Sequence, residues 1–385
     1  MLLVMNKINV GVCGLGTIGG GVCLMLDKYQ NEFVKLIAIC DKSEERLNSY
    51  NFNIKKYTDY KDLLNDNDVN LIVEVMGGEH PAFELITEAL RMGKSVVSAN
   101  KEVVAKHYKE LSEALKQTNA KLMFEASVGG VVPIVNGIYN YKRANKITKI
   151  EGILNGSTNF LLTKMQKDGV SYLDALSEAK ALGFLESDPR SDLRGLDMMR
   201  KIVILSNIAY GTALNIDDVY SYSLEGVSDS FIEELKLNDL ELKYMAESVL
   251  NLDRVSIRIE PVCVKKDDLL ANVLYEKNYV SFIGAEQERI EMMGMGAGRY
   301  PTSTAIISDI MQIASGAPSL DLPTNKELVI NNNDLVDRYI IDGEIDESLI
   351  SHKLGNLSVT KEISWKELKN NLNKIKFYAR IKWKN

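Results

Sequence analysis

The chain has 385 residues, 45% of them hydrophobic and 26% charged, the balance of a soluble globular protein with two or three domains rather than one core. A net charge of -7 argues against nucleic acid or an acidic membrane surface as partner, and no apolar run approaches the length that spans a bilayer. The opening Met-Leu-Leu-Val-Met is too short for the apolar part of a secretory signal, so a cytoplasmic location is the expectation.

In chain order, residues 8–14 read as a short apolar strand that runs into Gly14-Leu-Gly16-Thr-Ile-Gly19 and then a helical pattern ending near Tyr29. A second apolar run, Val34 to Cys40, is stopped by Asp41. Strand, glycine turn, helix and strand in this order predict a dinucleotide-binding βαβ unit. Gly14 permits the tight turn, Gly16 admits a pyrophosphate to the backbone, and Gly19 allows close helix–strand packing. The alternation continues with strands at 70–75 and 94–98, a helix from Pro81 to Arg91, a helix over 103–118 and a strand over 121–126. Lys101 and Glu125 fall at carboxyl ends of strands, where the ligand crevice of a doubly wound sheet lies. On position alone, a solvated loop lysine is an equally good reading of Lys101.

Beyond residue 135 the texture changes. A strand at 149–154 leads into Asn155-Gly-Ser-Thr158 and a helix, with further helices at 171–182 and 194–210 and strands at 254–264 and 278–283. Gly294-Met-Gly296-Ala-Gly298-Arg-Tyr-Pro301 opens a helix to about Ser315, either as a plain turn or as a backbone contact to a cofactor. The tail after Leu320 carries strands near 336–342 and 375–382 and a helix at 365–373, with Asn331–Asn333 as a linker or turn.

Cys13, Cys23, Cys40 and Cys263 form no CxxC pair, and the first three sit in apolar surroundings as reduced thiols. His80, His107 and His352 are scattered, which argues against a zinc site or a His-centred triad and leaves Lys, Asp or Glu to move protons. The richest cluster of such groups runs from Glu186 to Lys201. Glu186, Asp188 and Asp192 flank Pro189, and Asp197 and Lys201 share a helix face. From spacing alone, an exposed i,i+4 ion pair worth about a few tenths of a kcal/mol is favoured over the polar end of a substrate pocket.

Together these segments resemble homoserine dehydrogenase. The resemblance rests on Gly14 to Gly21, Ala99-Asn100-Lys101, Glu125-Ala-Ser-Val-Gly-Gly130, Leu154-Asn-Gly-Ser-Thr-Asn159, Gly183 to Lys201, and Gly296-Ala-Gly298-Arg-Tyr-Pro-Thr302, in family order over about residues 6 to 315. It implies an NAD(P)-dependent alcohol dehydrogenase that interconverts L-homoserine and L-aspartate 4-semialdehyde, in threonine and methionine biosynthesis. Lys201 matches the catalytic lysine, Asp197 its supporting acid, and Lys101 a lysine between nicotinamide and substrate. Glu186 matches the residue that holds the substrate amino group, with Asp192, Gly156 and Ser157 also on the substrate side. Gly14, Gly16, Thr17, Ile18, Gly19, Asp41, Met76, Asn100, Lys101 and Gly298 match the cofactor side. Glu125, Val128 and Gly130 match a sodium site, a hard oxygen set suited to that ion. A lysine suits the chemistry, since aldehyde reduction needs a proton donor at the developing alkoxide. Lys201 is the stronger candidate to move the proton.

The implied fold is α/β: an N-terminal Rossmann-type doubly wound parallel sheet (1–135, completed by about 295–320), a second α+β domain for catalysis and dimerisation (136–294), and a short C-terminal appendage (321–385). The resemblance also implies a homodimer. Two positions depart from the common pattern: Phe184 stands where many relatives place Tyr, and Arg190 replaces a Thr. The tail is short for the ACT domain that binds a feedback amino acid in bacterial relatives. Cofactor preference stays open, because Asp41 suits a ribose 2′-hydroxyl and Lys42 and Arg46 suit a 2′-phosphate. Aspartate-semialdehyde dehydrogenase, a rival, needs a nucleophilic mid-chain cysteine that only Cys263 offers. A non-catalytic dinucleotide sensor on the same fold is the other alternative, and it has no use for the acid–lysine set.

Overall fold

A computed structural model describes residues 5–29, 32–185, 188–286 and 288–383. The chain forms two compact units. The first comprises residues up to Ala144 with Asn207–Ala213 and Met295–Lys326; the second comprises Asn145–Ser206, Leu214–Gly294 and Glu327 onward. Among the described residues no helix is long and apolar enough to cross a membrane.

The first unit is built on six strands: β1 (Ile8–Cys13), β2 (Val34–Cys40), β3 (Lys55–Tyr57), β4 (Leu71–Glu74), β5 (Ser95–Ser98) and β6 (Leu122–Met123). They pair in parallel in the order β3-β2-β1-β4-β5-β6, the doubly wound arrangement expected from the sequence. β1 and β4 are apolar and almost wholly buried, as strands covered on both faces by helices must be. The strand order reverses between β1 and β4, which sets the ligand crevice at their carboxyl ends.

The glycine turn after β1 is sterically dictated. Gly14 has φ +101, and a Cβ there would stand 2.6 Å from Val75 O. A Cβ on Gly19 would collide with the carbonyl oxygen of Gly14. Both contacts are with backbone, which cannot yield as a flexible side chain does. Helix Thr17–Lys28 also lies against helix Arg299–Ala314, with Arg299 Nε donating to Thr17 O at 3.2 Å and Ser303 Oγ to Ile18 O at 3.3 Å. The chain therefore returns to this unit near residue 300.

Some elements differ from the sequence reading. The helix expected over 103–118 is two, Lys101–Lys106 and Tyr108–Lys116. The break is His107, whose ring stacks on Phe83 with centroids 4.0 Å apart and whose Nε2 lies 2.8 Å from Glu79. The strand expected to run to 126 stops at Met123 and gives way to a 3₁₀ turn, Glu125–Ser127, because Glu125 N is drawn 2.9 Å to Asp309 Oδ2.

Among the described residues the second unit has thirteen further strands. They are β7 (Ile147–Ile153), β8 (Tyr220–Ser221), β9 (Leu240–Asn251), β10 (Arg254–Lys265), β11 (Lys277–Gly284), β12 (Arg289–Met295) and β13 (Val329–Ile330), then β14 (Val336–Asp337), β15 (Tyr339–Gly343), β16 (Ile350–Leu354), β17 (Leu357–Thr360), β18 (Ile363–Ser364) and β19 (Ile375–Ile381). The main sheet runs β12-β11-β7-β9-β10-β19-β15-β17-β16, with β8 and β13 joined to β10. One row across it is charged and buried. Glu151 lies opposite Glu247, and Glu247 opposite Arg258. Arg258 Nη2 is 2.7 Å from Glu247 Oε1, Lys149 Nζ is 2.6 Å from Glu247 Oε2, and Arg380 Nε is 2.6 Å from Glu260 Oε1. Burial alone would raise the Glu247 carboxyl, yet Arg380, Arg258 and Lys149 hold it well below its ordinary value.

The tail is not a separate appendage. β19 pairs in parallel with β10, Val262 opposite Arg380, so the tail from residue 327 to Ile381 continues the sheet of the second unit. Their apolar side chains, including Tyr339, Trp365 and Tyr378, pack on Tyr220 and Tyr222 of the same unit. The residues before them, through Lys326, belong to the first unit.

Gly19→Ala should cost roughly 1–3 kcal/mol of stability through overpacking. Thermal melting reads the effect, and a variant with unchanged melting would contradict the steric assignment.

Candidate active site

The crevice at the carboxyl ends of β1 and β4 lies wholly in the first unit. Helix Thr17–Lys28 starts at Gly16, which gives it no side-chain cap, and its first turn holds no acid. Its leading N–H groups and positive end are thereby left to an anion. A Cβ on Gly16 would meet nothing within 4 Å, so the backbone is open to a ligand there. Asp41, buried after β2, accepts from Leu15 N at 2.7 Å and Ser43 N at 2.9 Å, pinning the glycine loop to the strand end. Arg46 Nη1 lies 3.6 Å from Asp41 Oδ2 with its side chain 57% exposed. Gly14, Asp41, Lys42, Arg46, Tyr60 and Met76 are among the residues lining a cleft of about 350 Å³.

Two loops beside this cleft are fastened by one buried acid. Glu74, at the end of β4, accepts from Ser98 Oγ at 2.6 Å and from Met76 N at 2.9 Å. Burial raises its carboxyl above the ordinary value. Asn100 N donates to Ser98 Oγ at 3.0 Å, and Asn100 Nδ2 donates to Gly78 O at 2.7 Å. Asn100 Oδ1 caps helix Lys101–Lys106 by accepting from Val103 N at 3.2 Å. Lys101, half-buried, is thus the first residue of a capped helix at the carboxyl end of β5. Gly298 stands at the start of helix Arg299–Ala314, beside the Arg299 that holds Thr17.

The acid–lysine cluster lies wholly in the second unit. Asp197 and Lys201 are on helix Leu196–Tyr210, with Lys201 Nζ 2.7 Å from Asp197 Oδ2. Their side chains are only 8% and 9% exposed, so the surface ion pair favoured by spacing is in fact a buried one. Lys201 Nζ also donates to Leu154 O, at the end of β7, at 2.7 Å. Asn155 Nδ2 reaches Asp192 Oδ1 at 2.6 Å and Asp197 Oδ2 at 2.9 Å. Its Oδ1 accepts from Thr158 N at 2.8 Å and so caps helix Gly156–Thr163. One asparagine therefore joins the helix start, both acids and, through Asp197, the ammonium. Gly156 is pressed against Glu276 O, which a Cβ would approach to 2.6 Å, and Ser157 Oγ donates to Phe184 O at 2.5 Å. The Phe184 ring packs on Phe160 with centroids 4.8 Å apart, where a Tyr hydroxyl is not needed for packing. Arg190 is spent on Asp188 at the surface. Glu186 lies outside the described residues.

Glu125 forms a third centre, in the first unit. Its carboxylate, 3% exposed, accepts from Val135 N at 2.9 Å, Asn136 N at 2.8 Å and Asn136 Nδ2 at 2.5 Å. Burial pushes it up to about 7. Asp309 is pushed up to about 8 by burial and by the neighbouring Glu125, and its Oδ1 is buried without a hydrogen-bond partner. Val128 N donates to Glu125 O at 3.2 Å, and Val131 N, next to Gly130, donates to Met295 O at 3.2 Å. Among the described residues no group of three or more His, Cys, Asp or Glu could hold a metal, so any ion here depends on carbonyl oxygens.

Sequence reasoning passed over Asn155, Glu74 and Asp309. An Asn before Gly-Ser-Thr is a recognisable helix cap, so Asn155 was within reach. Glu74 and Asp309 sit in apolar runs, where nothing but burial distinguishes them.

Comparison with known proteins covers both units. The family model for the homoserine dehydrogenase NAD-binding domain matches residues 14–125, and that for homoserine dehydrogenase matches residues 133–311. The homoserine dehydrogenase of Neisseria gonorrhoeae is 34% identical over 327 residues, covering 80% of this chain and 73% of its own. A crystal structure of a homoserine dehydrogenase from Thiobacillus denitrificans superposes with a TM-score of 0.89 at 24% identity, covering 98% of this chain and 99% of its own, and so shares the fold. A hyperthermophilic archaeal homoserine dehydrogenase in complex with NADPH has a TM-score of 0.71 at 25% identity, covering 82% of this chain and 99% of its own. With both of its domains matched and a relative above 30% identity aligned over most of its length, the chain belongs to the homoserine dehydrogenase family.

Proposed function

We propose that this NAD(P)-linked oxidoreductase interconverts L-homoserine and L-aspartate 4-semialdehyde with Lys201 as the group that moves the proton. The observation that carries the reading is the buried Lys201 ammonium, held by Asp197 Oδ2 and Leu154 O at 2.7 Å each. A nicotinamide held in the first unit would supply the hydride for the aldehyde carbon and accept it in the alcohol-oxidising direction. Lys201 gives its proton to the oxygen that becomes the C4 hydroxyl; in reverse, the neutral amine accepts it. Asp197 steadies the ammonium, and Asn155 keeps Asp197 and Asp192 aligned. Asp192, Gly156, Ser157 and Glu186 are assigned to the substrate, and Lys101 to the region between nicotinamide and substrate. The first unit is assigned to the cofactor, and the second to the substrate and to contacts in a homodimer. Support for the dimer is family membership and the edge strand β12, where Met293 is 53% exposed. Four free, buried cysteines support a reducing, cytoplasmic setting. A non-catalytic sensor is not favoured, since the relatives are named as dehydrogenases.

A sodium ion at Glu125, with carbonyls of Val128 and Gly130, fits the charge of this site. Burial holds both acids toward their neutral forms, and a cation beside them would let both ionise and would give the orphaned Asp309 oxygen a partner. Held there, the ion would tie together the loop after β6 and helix Arg299–Ala314, on which Asp309 stands.

Lys201→Met should lower kcat by about 10²–10⁴-fold in either direction, with NADPH affinity nearly unchanged. Absorbance at the nicotinamide band and a binding titration separate the two readouts; loss of NADPH affinity instead would remove the assigned role. For the cofactor, Arg46→Ala should weaken NADPH roughly tenfold and leave NADH almost unaffected, because only the former carries a 2′-phosphate. Equal losses for both would place Arg46 elsewhere than at that phosphate. Replacing choline by sodium at equal ionic strength should raise the melting temperature, and Glu125→Gln should remove the increment. A melting temperature indifferent to the ion would rule out the sodium site.

A further inference from the structure

Asn278 shares an acceptor with the Lys201 ammonium. It stands in β11 with 0% exposure and donates from Nδ2 to Leu154 O at 3.1 Å. Lys201 Nζ donates to that same oxygen at 2.7 Å. Asn278 Oδ1 is buried as well and has no hydrogen-bond partner among the described residues. A carbonyl oxygen has two lone pairs and can serve both donors, but they compete for its charge. A buried orphan oxygen is a standing cost that a leucine of similar volume would not carry. A side chain kept only to fill space in β11 would have no reason to carry that cost.

We propose that Asn278 is a positioning residue that acts through Leu154 O on Lys201, fixing the carbonyl and moderating its pull on the ammonium. This rests on the reading of Lys201 as the proton carrier. With the amide in place, Leu154 O divides its attraction, and the lysine parts with its proton more readily than it would if the carbonyl served it alone. Among the described residues, Lys201 is faced by Asp197 from its own helix and, through Asn155, by Asp192 from the turn Arg190–Leu193. From β7 and β11 the facing groups, Leu154 O and the Asn278 amide, are neutral. The amide is thus the neutral control on a site otherwise set by acids.

The experiment is a pair of pH–rate profiles, homoserine oxidation and semialdehyde reduction, for the full chain and for Asn278→Leu and Asn278→Asp. Melting temperature and NADPH affinity are measured alongside. In Asn278→Leu the limb assigned to the lysine should move to higher pH in both directions by about half to one unit, the worth of one neutral hydrogen bond. In Asn278→Asp, where a carboxylate joins the site, it should move further. NADPH affinity should hold, and Asn278→Leu should melt no lower than the parent because the orphan oxygen is gone. Limbs that stay in place in the variants that fold, with kcat falling only as melting falls, would make Asn278 a structural residue and overturn the proposal. If that happens while Lys201→Met still abolishes turnover, the lysine assignment stands without Asn278. Turnover retained in Lys201→Met would sink both.

Discussion

An ammonium withdrawn from water governs the assembly of the second unit. The effective desolvation cost of a buried charge is several kcal/mol, and only close partners offset it. Two partners of Lys201 come from different elements: Asp197 from its own helix one turn earlier, and Leu154 O from the end of β7. Asn155 then spans the gap, capping one helix with its carbonyl oxygen while its amide holds two acids. The strand end, the capped helix and the lysine helix must all be in place before the charge is satisfied. Such a cluster is ordered in the protein alone, as the proton-transfer role proposed for Lys201 requires.

The first unit handles charge differently. Three acids stand at or just after the carboxyl ends of alternate strands: Asp41 after β2, Glu74 ending β4 and Glu125 after β6. All three accept main-chain N–H groups, from Leu15 and Ser43, from Met76, and from Val135 and Asn136 respectively. They act as fasteners for the loops at that end of the sheet, and they leave the uncapped helix start at Gly16 to supply the positive field. The crevice is thereby shaped by carboxylates yet remains attractive to phosphate.

Much of this was legible in the residues. The glycine loop, the parallel strands and the helix at 299–314 followed from short-range pattern, because each is set by local sterics or by continuous burial. Asp197 and Lys201 were found but assigned by spacing to the surface, since a buried and an exposed i,i+4 pair have the same sequence. β9 was missed for a related reason: Glu241, Lys243 and Glu247 interrupt its apolar pattern, and only the structure shows them buried, with Lys243 Nζ donating to Val273 O at 2.9 Å. β3 and the short helices beside it are too brief for periodicity to register. The tail was separated as an appendage because its partner strand lies over a hundred residues away, a pairing that no local signal encodes.

That pairing has a bearing on how the family's architecture tolerates change. β19 covers one edge of β10, and Arg380 reaches across to Glu260, a carboxylate with 0% exposure, and to Glu247. A version of this enzyme cut back to the span shared with the family model, ending near residue 311, would unpair β10 at Arg254–Val255 and Val262–Cys263 and take Arg380 from Glu260 and Glu247, leaving Arg258 to serve both acids with Lys149. The last strand thus brings one of the interior's cations with it, and exchanging the tail for another module would mean finding a replacement for Arg380.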